Sequence, residues 1–288
     1  MDGIKQFFSP FFATMKFIQN HFKAMLFVLI LFLVFSPSEA ELESANLVQV
    51  KLEGVIMDAS MVVKQLEEAR TNDKIKGVLL VVNSPGGAVP PSIEIMQAVK
   101  RLKEEKPVIA YAAGTIASGS YYASIYADEI YANPGSMVGS IGVIMQGMNY
   151  TDLAQKIGIS AQTVKAGKFK EVGTASRKWK DFEKAELEKV VNDTYDMFVH
   201  DVALARKLDP ANRTAFADAH IFTASQAKEV GLIDKIGVGF DAENAIVELS
   251  GVDKPVWQQE DKVDAFMRQL SGETASYLGA YFTNLTLK

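Results

Sequence analysis

The sequence predicts an α/β fold built on a parallel sheet, and two observations support this prediction. Apolar strand patterns alternate with amphipathic helix patterns along residues 47–249, which is typical of strands joined by crossover helices. Several strands are continuous apolar runs, such as residues 76–82 (KGVLLVV). Runs of this kind indicate a sheet that is covered by helices on both faces.

The elements follow one another in a regular order. In the first half, we predict strands at residues 47–56, 76–82, 107–112 and 129–132, and helices at 60–69, 92–102 and 117–127. In the second half, we predict helices at 151–157, 180–206, 224–230 and 241–249, strands at 161–164 and 232–236, and a polar loop at 168–180. The sequence has no internal repeat.

The composition excludes several classes of function. The chain has 288 residues, of which 48% are hydrophobic and 23% charged, which is typical of a globular protein. The formal net charge of −5 argues against a nucleic-acid partner. Because the chain has no cysteine, disulfides, thiolate catalysis and cysteine–zinc sites are excluded. We expect no metal and no cofactor.

The amino-terminal segment has a different character. Residues 24–35 are twelve consecutive apolar residues, and Lys16 and Lys23 precede them. The run fits a signal-peptide core, and Ser38-x-Ala40 is a suitable cleavage site. The apolar segment FFSPFFATMKFI before it instead favours a retained anchor. A soluble core helix is a third alternative. Either membrane alternative exports the main domain, because the positive charges precede the apolar run.

Residues 1–40 therefore form a predicted membrane anchor or signal segment. At the other end, residues 251–288 carry several aromatic and aliphatic side chains. This composition is too apolar for a simple disordered tail. We expect this tail to pack on a neighbouring subunit.

A glycine-rich turn follows a buried strand at residues 83–87, N-S-P-G-G. Gly86 and Gly87 allow positive φ angles and a close approach of the backbone to another group. Such a turn can present amide N–H groups to an oxyanion, although an ordinary strand-to-helix turn has the same composition. The sequence lacks G-x-x-x-x-G-K-[ST] and G-x-G-x-x-G, so nucleotide binding is disfavoured.

A second turn, A-S-G at residues 117–119, follows the next predicted strand. Ser118 is either a nucleophile on a strand-to-helix turn or a helix cap. The G-x-S-x-G elbow motif is absent. The two turns lie at the ends of neighbouring parallel strands, where α/β folds bind their ligands.

A serine nucleophile needs a base, and the histidines are poor candidates. His21 lies in the membrane-proximal segment, His200 falls late in a charged helix, and His220 precedes a helix on a turn. A buried, neutral lysine can replace histidine. The candidates are Lys165, Lys168 and Lys170, and their spacing does not choose among them.

Small hydroxyl side chains also occur in G-S-M-V-G-S-I-G-V at residues 135–143, at Ser136 and Ser140. The surrounding glycines and aliphatic residues indicate tight packing beside the sheet. Ser140 is either a donor or acceptor for a buried lysine amine or a small residue in a crowded strand.

Taken together, these motifs resemble those of the signal peptide peptidase A (protease IV) family. The resemblance covers about residues 47–250 and rests on six motifs in order: N-S-P-G-G (83–87), A-S-G-S-Y-Y (117–122), A-D-E-I-Y-A-N-P (127–134), G-S-I-G-V (139–143), G-K-F-K-E-V-G (167–173) and I-F-T-A-S-Q-A-K-E-V-G-L-I-D (221–234). Two positions depart from the family pattern. Ser120 replaces a common glycine, and Ala219-His220 stands where a Gly-Arg pair is frequent.

The resemblance implies a fold like those of the Clp protease and the crotonases, and a serine peptidase domain over residues 41–250. Ser118 matches the family nucleophile, Lys170 the general base and Ser140 the serine that positions this lysine. Gly86 or Gly87, together with Gly119, matches the oxyanion hole. The resemblance also implies an octameric ring in which neighbouring subunits share their active sites.

We therefore expect a serine endopeptidase with a Ser–Lys dyad, which degrades cleaved signal peptides and other apolar peptides. We expect it to be a single-pass protein of the cytoplasmic membrane, with its catalytic domain outside the cytoplasm. One alternative is a catalytically inactive membrane scaffold of the same fold. A second is a crotonase-like acyl-CoA enzyme. Such an enzyme also stabilises an oxyanion with backbone N–H groups, but it usually needs carboxylates near the thioester.

Overall fold

The computed structural model describes residues 19–28 and 45–258. Residues 19–28 are helical and exposed, and they belong to a different compact unit from residues 45–257. None of the helices within these two ranges is both long and apolar enough to cross a membrane. The rest of the predicted anchor or signal segment, and residues 259–288 of the predicted tail, lie outside the described residues.

One seven-stranded, mostly parallel sheet organises residues 45–257. Its main path runs in the spatial order β1-β2-β3-β4-β7, with parallel pairing throughout. Strand β5 pairs in parallel with the end of β3, and β6 pairs antiparallel with β5. The bounds are β1 Leu47–Ile56, β2 Gly77–Gly87, β3 Val108–Ala117, β4 Glu129–Ala132, β5 Met137–Gly139, β6 Ile221–Thr223 and β7 Lys235–Ile236.

Eight α-helices of this unit connect and cover the strands. They are α1 Ser60–Thr71, α2 Val89–Lys103, α3 Gly119–Ser124, α4 Thr151–Lys156, α5 Asp181–Arg206, α6 Arg213–Phe216, α7 Ala224–Glu229 and α8 Gly239–Ser250, with a 3-10 turn at Pro210–Asn212. The prediction of a mixed α/β fold with alternating strands and helices is confirmed.

The sheet is buried on both faces, as its apolar strands predicted. On one face, Leu80 and its alternate neighbours in β2 pack with buried residues of α1, α2, α3 and α5. On the other face, Leu79 packs with Ala242 and Ile246 of α8. Consecutive residues of β2 thus serve two separate cores, because side chains alternate across a strand.

Two strands extend further than the sequence patterns predicted. Strand β2 continues through the glycine turn to Gly87, and β3 continues to Ala117. A bulge permits this extension, because Val82 pairs with Ala112 but Ser84 pairs with Ile116. The Asn83 side chain fills the bulge and accepts a hydrogen bond from the Thr115 N–H at 3.1 Å. The turn and the nucleophile candidate therefore both continue from strands.

Four other elements also differ from the sequence patterns. The strand predicted at residues 161–164 is absent, and this stretch is exposed, with Val164 fully accessible. A strand needs a paired neighbour, which its local composition cannot supply. The helix predicted at 117–127 begins only at Gly119, because β3 takes Ala117 and the turn takes Ser118. The short strands β5 and β6 were not predicted as strands.

Residues 256–257 pair with the start of β1, at one edge of the sheet. The Val256 carbonyl accepts hydrogen bonds from the N–H groups of Asn46 and Leu47 at 2.8 and 3.1 Å, and Trp257 bridges to Leu47. The start of β1 thus packs against residues of its own chain.

Two ion-pair groups hold helix α5 in place. At its carboxyl end, Arg206 makes a bidentate pair with Asp234 at 2.9 Å, and Asp234 also accepts the Ile130 N–H at 2.7 Å. The Arg206 side chain is only 9% exposed. A buried guanidinium of this kind depends on its carboxylate, because an unpaired buried charge is costly.

The second group lies at the amino end of α5 and anchors the loop before it. Arg177 donates two hydrogen bonds to Glu183 at 2.7 Å and one to Glu171 at 2.9 Å. Glu171 also pairs with Lys165 at 2.9 Å. Glu183 additionally accepts the Lys180 N–H at 2.8 Å and so caps the helix. The chain of charges thus fixes residues 165–177 to the start of α5.

We expect Asp234→Asn to lower the free energy of unfolding by about 3 kcal/mol, because it leaves the Arg206 charge without its partner. Asp196→Asn is the matched control, because Asp196 forms an exposed ion pair with Arg213 and should cost less than about 1 kcal/mol. Urea unfolding at pH 7 measures both variants. Equal losses in the two variants would contradict this account of α5.

We expect the Arg177–Glu183 pair to stabilise the fold in a pH-dependent way. The Arg177 guanidinium, followed by the Lys180 N–H, lowers the pKa of Glu183 from 4.5 to about 2. A carboxylate with a lowered pKa stabilises the fold above its unfolded pKa, and this contribution is lost as the pH falls to about 2. Glu183→Gln should therefore be less stable than the wild type at pH 7.

The difference between wild type and Glu183→Gln should narrow as the pH falls from about 4.5 to about 2. Urea unfolding curves at several pH values measure this change. Glu186→Gln provides the control, because Glu186 forms an exposed pair with Lys189 and should have little effect on stability. A difference that stays constant with pH would show that the charge of Glu183 is not what stabilises the loop.

Candidate active site

Ser118 occupies a strained turn between β3 and α3. Its φ and ψ angles are 52° and −123°, a region that non-glycine residues adopt only where the surrounding structure enforces it. The Ser118 N–H donates to the Gly139 carbonyl at 2.8 Å, and its own carbonyl accepts the Tyr122 N–H at 2.9 Å. Backbone bonds on both sides therefore hold the turn in this conformation.

The position of Ser118 distinguishes between its two predicted roles. It stands at the N-cap position of α3, yet its side chain makes no capping hydrogen bond. The residue is half-buried. Its hydroxyl is thus presented at a strand–turn–helix junction, which is the setting of nucleophilic serines in many α/β hydrolases.

The glycine turn of β2 lies directly against this junction. Gly86 has a φ of +94°, and a Cβ atom there would lie 2.8 Å from the Ser118 Cβ and 2.6 Å from the Gly119 nitrogen. A Cβ atom on Gly119 would lie 2.2 Å from the Ser92 Oγ. Neither position has room for a side chain. The two turns can approach this closely only with glycine at 86, and glycine at 119 leaves room for Ser92 of α2.

The backbone donors at this junction are not equivalent. The Gly86 N–H donates to the Ser84 Oγ at 3.1 Å. Gly87 and Gly119 both line the cleft beside Ser118, whereas Gly86 does not. Gly119 is the first residue of α3, where N–H groups lack helical acceptors. Gly87 and Gly119 are therefore better placed than Gly86 to bind an oxyanion.

A small cleft opens at Ser118. It is lined by Gly87, Val89, Ser92, Ser118, Gly119, Tyr122, Gly142, Val143, Thr194 and Phe198. Most of these residues are small or apolar, which suits an uncharged peptide segment.

One wall of the cleft is an aromatic pair. The rings of Tyr122 and Phe198 stack with their centroids 4.4 Å apart, and the Tyr122 hydroxyl donates to the Asp201 carboxylate. Burial, and then the hydrogen bond to Asp201, raises the pKa of Tyr122 well above its usual value. The phenol therefore stays neutral, and the pair acts as a fixed apolar wall.

Ser140 lies beside Ser118. It follows Gly139, which pairs with Ala117, so the two serines extend neighbouring parallel strands. Ser140 also has a positive φ, of 51°, and its N–H donates to the His220 carbonyl at 2.7 Å. The structure thus brings together Ser118, Ser140 and the glycine turns.

The three candidate lysines lie in different environments, and none of them lines the cleft in this chain. Lys165 pairs with Glu171, and the Lys168 amine lies over the rings of Phe169 and Phe182, at 5.2 and 4.8 Å. Lys170 is exposed. No carboxylate within residues 19–28 and 45–258 lies within 4.0 Å of its amine.

Two of the histidines resemble Lys170 in their exposure. His200 and His220 are both exposed, and neither is among the residues that line the cleft. Through the described part of the chain, no group of three or more His, Asp or Glu side chains could hold a metal ion.

Several residues of the site were not found in the sequence. Ser92, Tyr122, Thr194 and Phe198 line the cleft from α2, α3 and α5. Their spacing in the sequence carries no signal, since they meet only after the helices pack on the sheet. The buried charge of Glu183 was missed for the same reason.

Comparisons with known proteins show which family the chain resembles. Residues 100–253 match peptidase family S49. A candidate protease from Methanocaldococcus jannaschii is 42% identical over 69% of this chain and 64% of its own length. A candidate signal peptide peptidase from Enterococcus faecium is 35% identical over 75% of this chain and 61% of its own length.

The chain thus spans less than two thirds of these relatives. Among solved structures, a ClpP1 mutant from Listeria monocytogenes is similar with a TM-score of 0.47 and 16% sequence identity, over 67% of this chain and 93% of that one. The family match covers more than half of the 288 residues and includes the Ser118 turn. The chain belongs to peptidase family S49.

Proposed function

We propose that the protein is a serine endopeptidase in which Ser118 is the nucleophile and Lys170 the general base. The observation that carries this proposal is the strained Ser118 turn, which abuts the glycine turn of β2. Strain of this kind is kept where function requires it. Membership of a peptidase family gives independent support.

The proposed reaction is acyl transfer to serine. Neutral Lys170 takes the proton of the Ser118 hydroxyl as its oxygen attacks the peptide carbonyl. The Gly87 and Gly119 N–H groups stabilise the oxyanion. Protonated Lys170 then gives its proton to the leaving amine. A water molecule hydrolyses the acyl-enzyme by the same route, with Ser140 orienting the lysine amine.

The exposure of Lys170 supports a site completed by a second copy of the chain. Lys170 follows an exposed apolar segment, defined as residues 144–164. Its large exposed apolar residues are Ile144, Met145, Met148, Tyr150, Leu153, Ile157, Ile159 and Val164. Apolar surface of this extent marks an interaction site. We propose that it packs on a neighbouring subunit in a ring, an octamer by family resemblance, and delivers Lys170 to that subunit's cleft.

The substrate proposal follows from the cleft and the family. We propose a fold of the Clp protease and crotonase type, which binds an extended peptide as an added strand. The small and apolar lining favours apolar peptides, including cleaved signal peptides. Residues 1–40 would tether the protein to the cytoplasmic membrane, with the peptidase domain outside the cytoplasm.

We expect Ser118→Ala and Lys170→Ala each to lower kcat on an apolar peptide by about 10⁴-fold or more. The loss of one member of a catalytic pair costs about as much activity as the loss of both. Lys178→Ala is the control, since Lys178 is exposed on the same loop and should leave kcat unchanged. Hydrolysis of a p-nitroanilide peptide and labelling by a fluorophosphonate measure these effects. Full proteolysis by either catalytic variant would refute the dyad.

The same labelling distinguishes the alternative functions. Wild-type protein that is labelled at Ser118 supports a peptidase. Absence of labelling supports the inactive scaffold, and binding of coenzyme A supports the crotonase-like enzyme. Each alternative contradicts the proposal.

We further expect inactive Ser118→Ala and Lys170→Ala subunits to restore activity when they are co-expressed. In a ring whose sites take serine from one subunit and lysine from the next, equal random mixing yields about a quarter of the wild-type sites. Differently tagged subunits allow mixed assemblies to be purified before assay. If the dyad lies within one chain, mixed assemblies will be as inactive as either variant alone.

A further inference from the structure

Ser120 joins the two halves of the proposed site. Its side chain is fully buried. The hydroxyl accepts the Ala117 N–H at 2.9 Å. It also lies 2.7 Å from the Ser84 carbonyl oxygen and 2.9 Å from the Ala117 carbonyl oxygen. A hydroxyl has one hydrogen, and the shorter distance favours its donation to Ser84.

This hydroxyl stands where the ladder between β2 and β3 ends. Ser84 and Ile116 are the last paired residues of the two strands. The Ala117 N–H does not face β5, because the next N–H, of Ser118, donates to Gly139 in that strand. The Ser120 hydroxyl therefore bridges the ends of β3 and β2. It accepts a hydrogen bond from the Ala117 N–H and donates one to the Ser84 carbonyl.

The two residues that this hydroxyl bridges lie next to the proposed nucleophile and the glycine turn. Ala117 immediately precedes Ser118. Ser84 accepts the Gly86 N–H on its own hydroxyl at 3.1 Å, and thus fixes the glycine turn. One hydroxyl consequently links the strand end that precedes the nucleophile to the strand end that carries the glycine turn.

We propose that Ser120 is a positioning residue for the serine peptidase reaction. This inference rests on the proposed function. Ser120 is buried and is not among the residues that line the cleft. It acts through Ala117 and Ser84, by holding the Ser118 turn and the glycine turn at a fixed separation, so that attack and oxyanion binding occur in one geometry.

The expected effect is on kcat rather than on KM. A misplacement of 1 Å can cost about 10²-fold in rate. The loss of Ser120 leaves the glycine contacts of the two turns in place, so we expect a smaller shift and a fall in kcat of about 10-fold for Ser120→Ala. The walls of the cleft are unchanged, so KM should stay within about twofold.

Ser124→Ala is the matched control. Ser124 is also a fully buried serine of α3, and its hydroxyl donates to the Ser120 carbonyl at 2.9 Å. Its loss removes a buried hydrogen bond of the same helix without touching β2 or Ala117. We expect both variants to lower Tm, and only Ser120→Ala to lower kcat.

The experiment measures kcat and KM on a p-nitroanilide peptide, the rate of fluorophosphonate labelling at Ser118, and Tm. A kcat that is about 10-fold lower and slower labelling, seen for Ser120→Ala but not for Ser124→Ala, support the proposal. Equal kcat values for Ser120→Ala, Ser124→Ala and wild type overturn it, since Ser120 then contributes only to stability.

Ser120→Gly keeps the proposal testable if Ser120→Ala fails to fold. Glycine leaves space in which water can replace the hydroxyl, whereas the alanine methyl group blocks it. We expect a fall in kcat of about threefold, between wild type and Ser120→Ala, and a wild-type kcat would then overturn the proposal. Wild-type protein that is neither labelled nor active refutes the proposed function instead.

Discussion

The site depends on one steric constraint, the contact between two backbone turns that leaves no room for a Cβ atom. Gly86 meets the Ser118 turn, and Gly119 meets Ser92 of α2. Parallel pairing of β2 and β3 brings the carboxyl ends of the two strands to one edge of the sheet. Glycine then lets the turns touch, and the backbone bonds of Ser118 keep its strained angles.

The bulge between β2 and β3 is what makes this contact possible. A regular ladder would carry both strands onward side by side, and Ser118 would face a neighbouring strand rather than a cleft. The bulge lets three residues of β3 oppose Asn83, whose side chain satisfies the freed Thr115 N–H. Beyond the bulge, the Ser120 hydroxyl takes the place of a backbone acceptor for the Ala117 N–H and of a backbone donor for the Ser84 carbonyl. Polar side chains thus bind two N–H groups, those of Thr115 and Ala117, that have no partner in the ladder between β2 and β3.

The sequence predicted the fold class and the turns well, because strong apolar runs and glycine pairs carry local signals. It predicted the sheet with two covered faces, which the two cores confirm. It did not predict β5 and β6, since three residues are too few for a periodic pattern. Spacing in the sequence does not choose among Lys165, Lys168 and Lys170, and the family resemblance alone favours Lys170. Only the fold shows that Lys165 forms an ion pair with Glu171 and that the Lys168 amine lies over aromatic rings.

The two residues of the proposed dyad lie in opposite structural environments. Ser118 is held by the sheet, at the edge of the larger core, whereas Lys170 stands exposed on a loop that Arg177 ties to α5. A lysine amine acts as a base only when it is neutral, and contact with water favours the charged form. In the proposed mechanism, something must therefore cover Lys170 before it can accept a proton. The exposed apolar segment that precedes it is suited to make that contact. Assembly would then supply the dry environment that the single chain lacks, and an isolated subunit would hold a nucleophile without a working base.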